Sequence, residues 1–177
     1  MNRLVAATAL GLVLGAGVAA AAEHPIGRAI ERDGMRIGAV YLQGVMMEGM
    51  EHDAHDPGAV HLEADIHALK GNKNGFAAGE WIPNLGVSYL VTKPGDPSVQ
   101  LKGELIPMVA NDGPHYGQNV VLPGPGKYHV AFHVTPPNEH GFTRHIDKET
   151  GVGPWWSGFD QEWDFTFVGS VGKKGGY

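Results

Sequence analysis

Between Val60 and Ala68 the chain alternates strictly: His61, Glu63, Asp65 and His67 share one parity, and Leu62, Ala64 and Ile66 the other. Alternate side chains of a strand share a face at a spacing of roughly 6.5 to 7 Å. Two imidazoles and two carboxylates are thereby lined up so that neighbours can share or bracket a cation. An ordinary antiparallel sheet with one solvated side has the same pattern, so the strand needs further ligands before it becomes a site.

Three other segments can supply them. The run Met108 to Gly117 ends a strand and turns through Asp112-Gly113-Pro114, which lets Met108 and His115 face each other across a bend. Its ordinary reading is a packed methionine and an exposed loop histidine. The run Arg144 to Trp156 places His145 among charged residues ahead of Trp155 and Trp156, whose indoles either pin a surface loop or shield a site from water. A third loop mixes Met46, Met47 and Met50 with His52, Asp53, His55 and Asp56, made more anionic by Glu48 and Glu51. Thioethers favour Cu(I), whereas imidazole and carboxylate accept Cu(II) or iron. The loop reads as a copper-catching segment or as a disordered polar one.

Composition removes several other chemistries. The 177 residues include no cysteine and 10 histidines. Disulfides, iron–sulfur clusters, type 1 copper, thioether-linked haem and cysteine nucleophiles are therefore excluded. There is no H-E-x-x-H, G-x-S-x-G, P-loop or dinucleotide fingerprint. A net charge of −6 argues against nucleic acid and for cations as partners.

The elements that must hold these ligands are short. With 27 glycines and 12 prolines in the chain, helices have little room. Arg36–Gln43, Val60–Ala68, Leu85–Thr92, Gln100–Ala110, Gln118–Leu122, Lys127–Thr135 and Glu162–Val168 read as strands bounded by Gly, Pro, Asn and Asp. In Lys127–Thr135, His129 and His133 sit on the polar side of a half-exposed strand. This pattern predicts an all-β antiparallel sandwich. The Gly- and Lys-rich tail from Gly169 to Tyr177 reads as loose.

Ahead of the strands, Arg3, an apolar run from Leu4 to Val18 and the alanines 19–22 have the pattern of a secretory signal. The apolar part is short of the roughly 20 residues that span a bilayer. The expectation is a cleaved signal peptide at residues 1–22, then one metal-binding domain at 23–177, exported to a periplasm and not embedded in a membrane.

Five stretches in order carry a resemblance: Ala39–Gln43 (AVYLQ), His61–Leu69 (HLEADIHAL), Asn74–Phe76 with Trp81–Pro83, Pro107–Gly117 (PMVANDGPHYG), and Arg144–Trp156. Together the chain resembles the periplasmic iron-uptake family of copper-binding dimeric proteins, the Fe2+ transport proteins associated with bacterial iron permeases. The resemblance implies an immunoglobulin-like β-sandwich and a copper site of His61, Met108, His115 and His145, with Glu63 as an adjustable carboxylate. It also implies a homodimer whose second subunit helps complete the site, and as partners an inner-membrane iron permease with its associated redox proteins. Asp65 and His67 are expected to orient His61. Relative to the family pattern, the loop from Met46 to Asp56 is enriched in Met and His, and Glu23 and Glu48 are candidates for a second, iron-leaning site.

The function this implies is binding of copper and iron at a His/Met/Glu site and delivery of iron to the permease. Other readings are copper binding or copper resistance, a copper-dependent ferroxidase, and a structural sandwich without metal. A lone copper cannot store the four electrons that reduce dioxygen to water, so a stoichiometric redox role is expected rather than turnover.

Overall fold

The computed structural model describes residues 23–50, 54, 56 and 58–169. The signal-like segment, the tail beyond Gly169, and His52, Asp53 and His55 of the Met/His loop lie outside the described residues. Ten strands and a 3-10 turn at Pro137–His140 are the regular elements of the described part. Among the described residues no helix is long and apolar enough to cross a membrane.

In chain order the strands are β1 (His24–Pro25), β2 (Ile30–Arg32), β3 (Met35–Gln43), β4 (Ala59–Ala68) and β5 (Gly86–Lys93). They continue as β6 (Asp96–Glu104), β7 (Ile106–Ala110), β8 (Gly113–Val121), β9 (Gly126–Thr135) and β10 (Phe159–Phe167). One sheet runs β1-β3-β4-β8-β7, with β2 also paired to β3, and the other runs β10-β9-β5-β6. All pairings are antiparallel. Among the described residues the fold is almost entirely β, as predicted, in two sheets.

The apolar parity of each strand builds a shared core. Leu62, Ala64 and Ile66 of β4 are buried with Tyr128, Val130, Phe132 and Val134 of β9. Tyr41 of the first sheet meets the rings of Phe165 and Phe167 of the second at 5.5 and 6.0 Å. Each buried large side chain contributes about 1.5–3 kcal/mol by leaving water, so the two sheets are held face to face chiefly by these residues.

Beyond the seven expected strands the structure adds β1 and β2, and β10 begins at Phe159 where Glu162 was expected; two further differences bear on the site. Gln100–Ala110 reads as one strand but is divided at Leu105, so that β6 belongs to the second sheet and β7 to the first. Leu105 is buried at the crossing, and its N–H donates to the Val87 carbonyl at 2.8 Å. Pro107 fits because β7 is an edge strand, where a missing N–H leaves no ladder bond unmade. β8 starts earlier than the predicted Gln118, directly after an Asn111–Asp112 turn. Gly113, at φ 138°, supplies the backbone conformation that resumes the strand.

Candidate metal centre

Strand β4 supplies His61 and Glu63 from one face, and its neighbour β8 supplies His115. The polar face is not solvated: His61, Glu63 and His115 are all buried, His61 with only 1% of its surface exposed. Nε2 of His61 and Nε2 of His115 each lie 3.5 Å from Oε1 of Glu63. The two rings meet edge to face, centroids 5.7 Å apart. One ligand atom from each residue falls within 4.8 Å of the others.

Both Nε2 atoms are shut off from solvent without a hydrogen-bond partner. Such an atom costs about 1–3 kcal/mol, and two of them converge here on one carboxylate oxygen. Two imidazole nitrogens and a carboxylate suit a borderline transition-metal cation. The donor set therefore fits a bound copper or iron ion.

Asn119 determines which imidazole nitrogen of His61 is offered. Its Oδ1 accepts from the Val45 N–H at 3.2 Å, and its Nδ2 donates to the Val45 carbonyl at 2.7 Å. Those two bonds orient the amide, so Oδ1, 3.0 Å from Nδ1 of His61, accepts a proton carried by Nδ1. Nε2 is left with a free lone pair toward the cluster. Asp65 and His67 were expected in this orienting role. Nδ1 of His67 instead meets the Gly79 carbonyl at 3.1 Å, while Asp65 lies beside the cluster as a further carboxylate.

Electrostatics favour an incoming cation. Burial lifts the Glu63 carboxyl to about 8, and Asp65, Glu23 and Asp112 push the same way. Burial holds the His61 imidazole down near 4; the Asn119 hydrogen bond opposes this and His115 adds to it. The 3.5 Å His61–Glu63 approach is thus between neutral groups at neutral pH, not an ion pair. A cation binding there displaces the carboxyl proton. Glu23 is itself raised, first by burial and then by Asp65 and Asp112, and it shares a hydrogen bond with Asp112. Glu23 and the exposed Glu48 both line a cleft that opens onto His61, Glu63 and His115.

Met108 is the direct cross-strand partner of His115, as the bend in the sequence suggested. It is half-buried and lines a cleft of about 1000 Å3 that also reaches His61, Glu63 and His115.

His145 stands outside this cluster. Its side chain is 75% exposed, on a loop tied down by Gly153 N–H to Lys73 O, Arg144 Nη1 to Val152 O, and Asn74 Nδ2 to Gly153 and Pro154. Thr150 donates its hydroxyl proton to Asp147 Oδ2 at 2.7 Å, so Thr150 Oγ1 accepts from Nδ1 of His145, also at 2.7 Å. Nε2 of His145 is therefore the free nitrogen, as in His61. Phe142, Trp155 and Trp156 follow one another at ring separations of 6.3 and 5.7 Å, with Trp156 packed on the core. The indoles pin the loop.

Sequence reasoning missed two residues. Asn119 has no motif of its own. Gly117 carried a signal, a glycine inside a strand, which often marks a close approach: a Cβ there would stand 2.5 Å from Nε2 of His61 and 3.2 Å from Cδ2 of His115.

Residues 20–169 match the family model described as Fe2+ transport protein. A UPF0423 protein of Brucella abortus is 54% identical over 173 residues, 95% of this chain and 93% of its own length. Among solved structures, a copper-bound glutamate-to-glutamine variant of FetP from uropathogenic Escherichia coli strain F11 superposes with a TM-score of 0.78 at 49% identity, covering 84% of this chain and 99% of that one. A copper-bound glutamate-to-glutamine variant of Campylobacter jejuni P19 gives 0.79 at 44% identity, with 85% and 100% covered.

Proposed function

The chain belongs to the Fe2+ transport protein family, and from that premise we propose that it is a periplasmic metal-binding protein of iron uptake. In this reading it holds copper at the His61–Glu63–His115 cluster and passes iron to an inner-membrane permease. The observation that carries the reading is the pair of buried, unpartnered Nε2 atoms aimed at one Glu63 oxygen. Copper bound in the FetP and P19 variants supports that choice of metal.

Met108 adds a thioether from the facing strand and His145 a third imidazole from a second copy of the chain, which makes the working unit a homodimer. Two features support this. Met108 sits on an edge strand, and His145 presents its free Nε2 to solvent. Val109 and Ile146, the residues following them, are each 78% exposed, as apolar side chains buried between copies would be. Three imidazoles and a thioether suit copper in either oxidation state and so supply a one-electron couple; iron is the cargo. Glu63 joins or leaves the ligand set as charge changes, and the carboxylates of Glu23, Asp65 and Asp112 offer the harder oxygens that iron prefers.

Residues 1–22 serve as a cleaved export signal and 23–177 as the metal-binding domain, which we read as immunoglobulin-like. Support comes from the strand order. With β3, β4, β8 and β7 as A, B, E and D, and β10, β9, β5 and β6 as G, F, C and C′, the sheets follow the ABED and GFC arrangement of that fold.

The test is copper content and electron paramagnetic resonance of the copper-loaded protein beside His115→Ala, followed by addition of Fe(II). A histidine-rich signal lost in the variant and altered by iron is the expected result. Absence of stoichiometric copper in the wild type would overturn the reading.

A further inference from the structure

Four of the six methionines of the chain, Met46, Met47, Met50 and Met108, line the cleft that opens onto His61, Glu63 and His115. Met108 is accounted for above; the other three are not. Core packing does not account for them: Met46 is 70% exposed, Met47 and Met50 are half-buried, and none belongs to the hydrophobic core. Met35 is the contrast, a methionine wholly enclosed in that core.

The loop that carries the three is built to keep them at the cleft. At its base Asn119 grips both the N–H and the carbonyl of Val45, and the same amide oxygen receives Nδ1 of His61. Next to it Gly44 N–H donates to Ala59 O at 3.1 Å. Further on, Met50 N–H closes a turn on the Met47 carbonyl at 2.9 Å, with Gly49 at φ 78° allowing the reversal. One side chain therefore fixes both the buried imidazole and the start of the thioether loop.

Thioethers are soft, neutral donors that prefer Cu(I) and discriminate against Fe(II) and Cu(II). We propose that Met46, Met47 and Met50 form a second, soft-cation site that captures Cu(I) at the mouth of the cleft, from which the imidazole cluster is loaded. The capture step is ligand exchange without redox change: Cu(I) arrives and leaves as Cu(I), thioether bonds giving way to imidazole ones. This deepens the function proposed above and rests on it only for the destination of the metal.

The test uses the full chain labelled with 13C at the methionine methyls and titrated with Ag(I), a soft monovalent cation that does not change oxidation state. The methyl signals of Met46, Met47 and Met50 should move, while that of Met35 stays fixed. In the triple variant Met46→Leu, Met47→Leu, Met50→Leu, Cu(I) affinity measured against a chromophoric chelator should fall about tenfold or more. Its Cu(II) affinity should stay within about twofold, since the imidazole donors are untouched and leucine conserves volume. Ag(I) moving only Met108, or unchanged Cu(I) affinity in the triple variant, would overturn the inference. A wild type that binds no Cu(II) but shifts the three methyls with Ag(I) would overturn the proposed iron-uptake function and support the thioether site.

Discussion

Gly117 lies directly beneath His61: a methyl group added at its Cα would stand 2.5 Å from Nε2 and 2.9 Å from Cε1 of that imidazole. The same methyl would be 3.2 Å from Cδ2 of His115, so both rings rest on a position of β8 that carries no side chain. Gly117→Ala should therefore push the imidazoles off their shared point. The expected outcome is a loss of copper affinity of about tenfold or more and a destabilisation of about 1–3 kcal/mol, read by metal competition and thermal melting. Gly38→Ala is the control: its nearest side-chain neighbour, Cβ of Asp65, is 3.7 Å away, and copper binding should be retained. Equal copper affinity in the two variants would remove Gly117 from the site.

Glu63 and His61 make the stability of the metal-free protein depend on pH in opposite directions. The Glu63 carboxyl is raised to about 8 from 4.5, so between those values the folded state keeps a proton that the unfolded chain has released. Stability from this group is complete below 4.5 and is lost as pH rises through 8. His61 is lowered to about 4 from 6.5; its contribution is complete above 6.5 and is lost as pH falls through 4. Glu63→Gln removes the alkaline loss and keeps the shape. At pH 9 the metal-free variant should exceed wild type by on the order of 1 kcal/mol or more, with the difference gone near pH 4.5. Parallel melting curves across the range would show that Glu63 is not the titrating group.

Asn119 separates two roles that a single truncation would merge. Asn119→Ala leaves Nδ1 of His61 without its acceptor and releases Val45, so copper affinity should fall about 10- to 100-fold, the usual cost of losing a partner that orients a ligating histidine. Asn119→Asp keeps an acceptor for Nδ1 and for the Val45 N–H but loses the donor to the Val45 carbonyl. Copper affinity should then stay near wild type, while amide exchange at the base of the Met loop quickens. Loss of copper in both variants alike would mean that the amide acts through the fold and not through the tautomer.

The parts of the site legible in sequence were those set by strand parity. His61 and Glu63 share a face because period-two geometry requires it, and Met108 faces His115 because the Asp-Gly turn sets the hairpin register. What parity could not show was burial. The polar face of β4 has the pattern of a solvated strand, and only the tertiary structure brings the Met loop and β7 to the cleft that encloses its ligands. The division at Leu105 was hidden for a different reason: the alternation of Gln100–Leu105 runs straight into the apolar stretch Ile106–Ala110, with no polar or turn residue to mark the change of sheet. Asn119 escaped because its role depends on a backbone 74 residues away, and a lone asparagine in a strand announces nothing.

His145 gives the sharpest test of the proposed dimeric site, because among the described residues it stands outside the ligand cluster of its own subunit. Its Nδ1 is committed to Thr150, and Nε2 is free on a ring whose side chain is 75% exposed. If a second copy completes the cluster, then His145→Ala protein and His61→Ala/His115→Ala protein each lack every intact site as homodimers. Mixed and allowed to exchange, they should regain copper sites, because the intact cluster of one subunit receives His145 from the other. With random pairing of equal amounts about a quarter of wild-type sites should return. If His145 served its own chain, no pairing could join it to an intact cluster and mixing would restore nothing. Native mass spectrometry of the mixture, run alongside, resolves the hybrid dimer by mass and so shows whether subunits have exchanged, and a failure to restore copper binding then counts against the shared site itself.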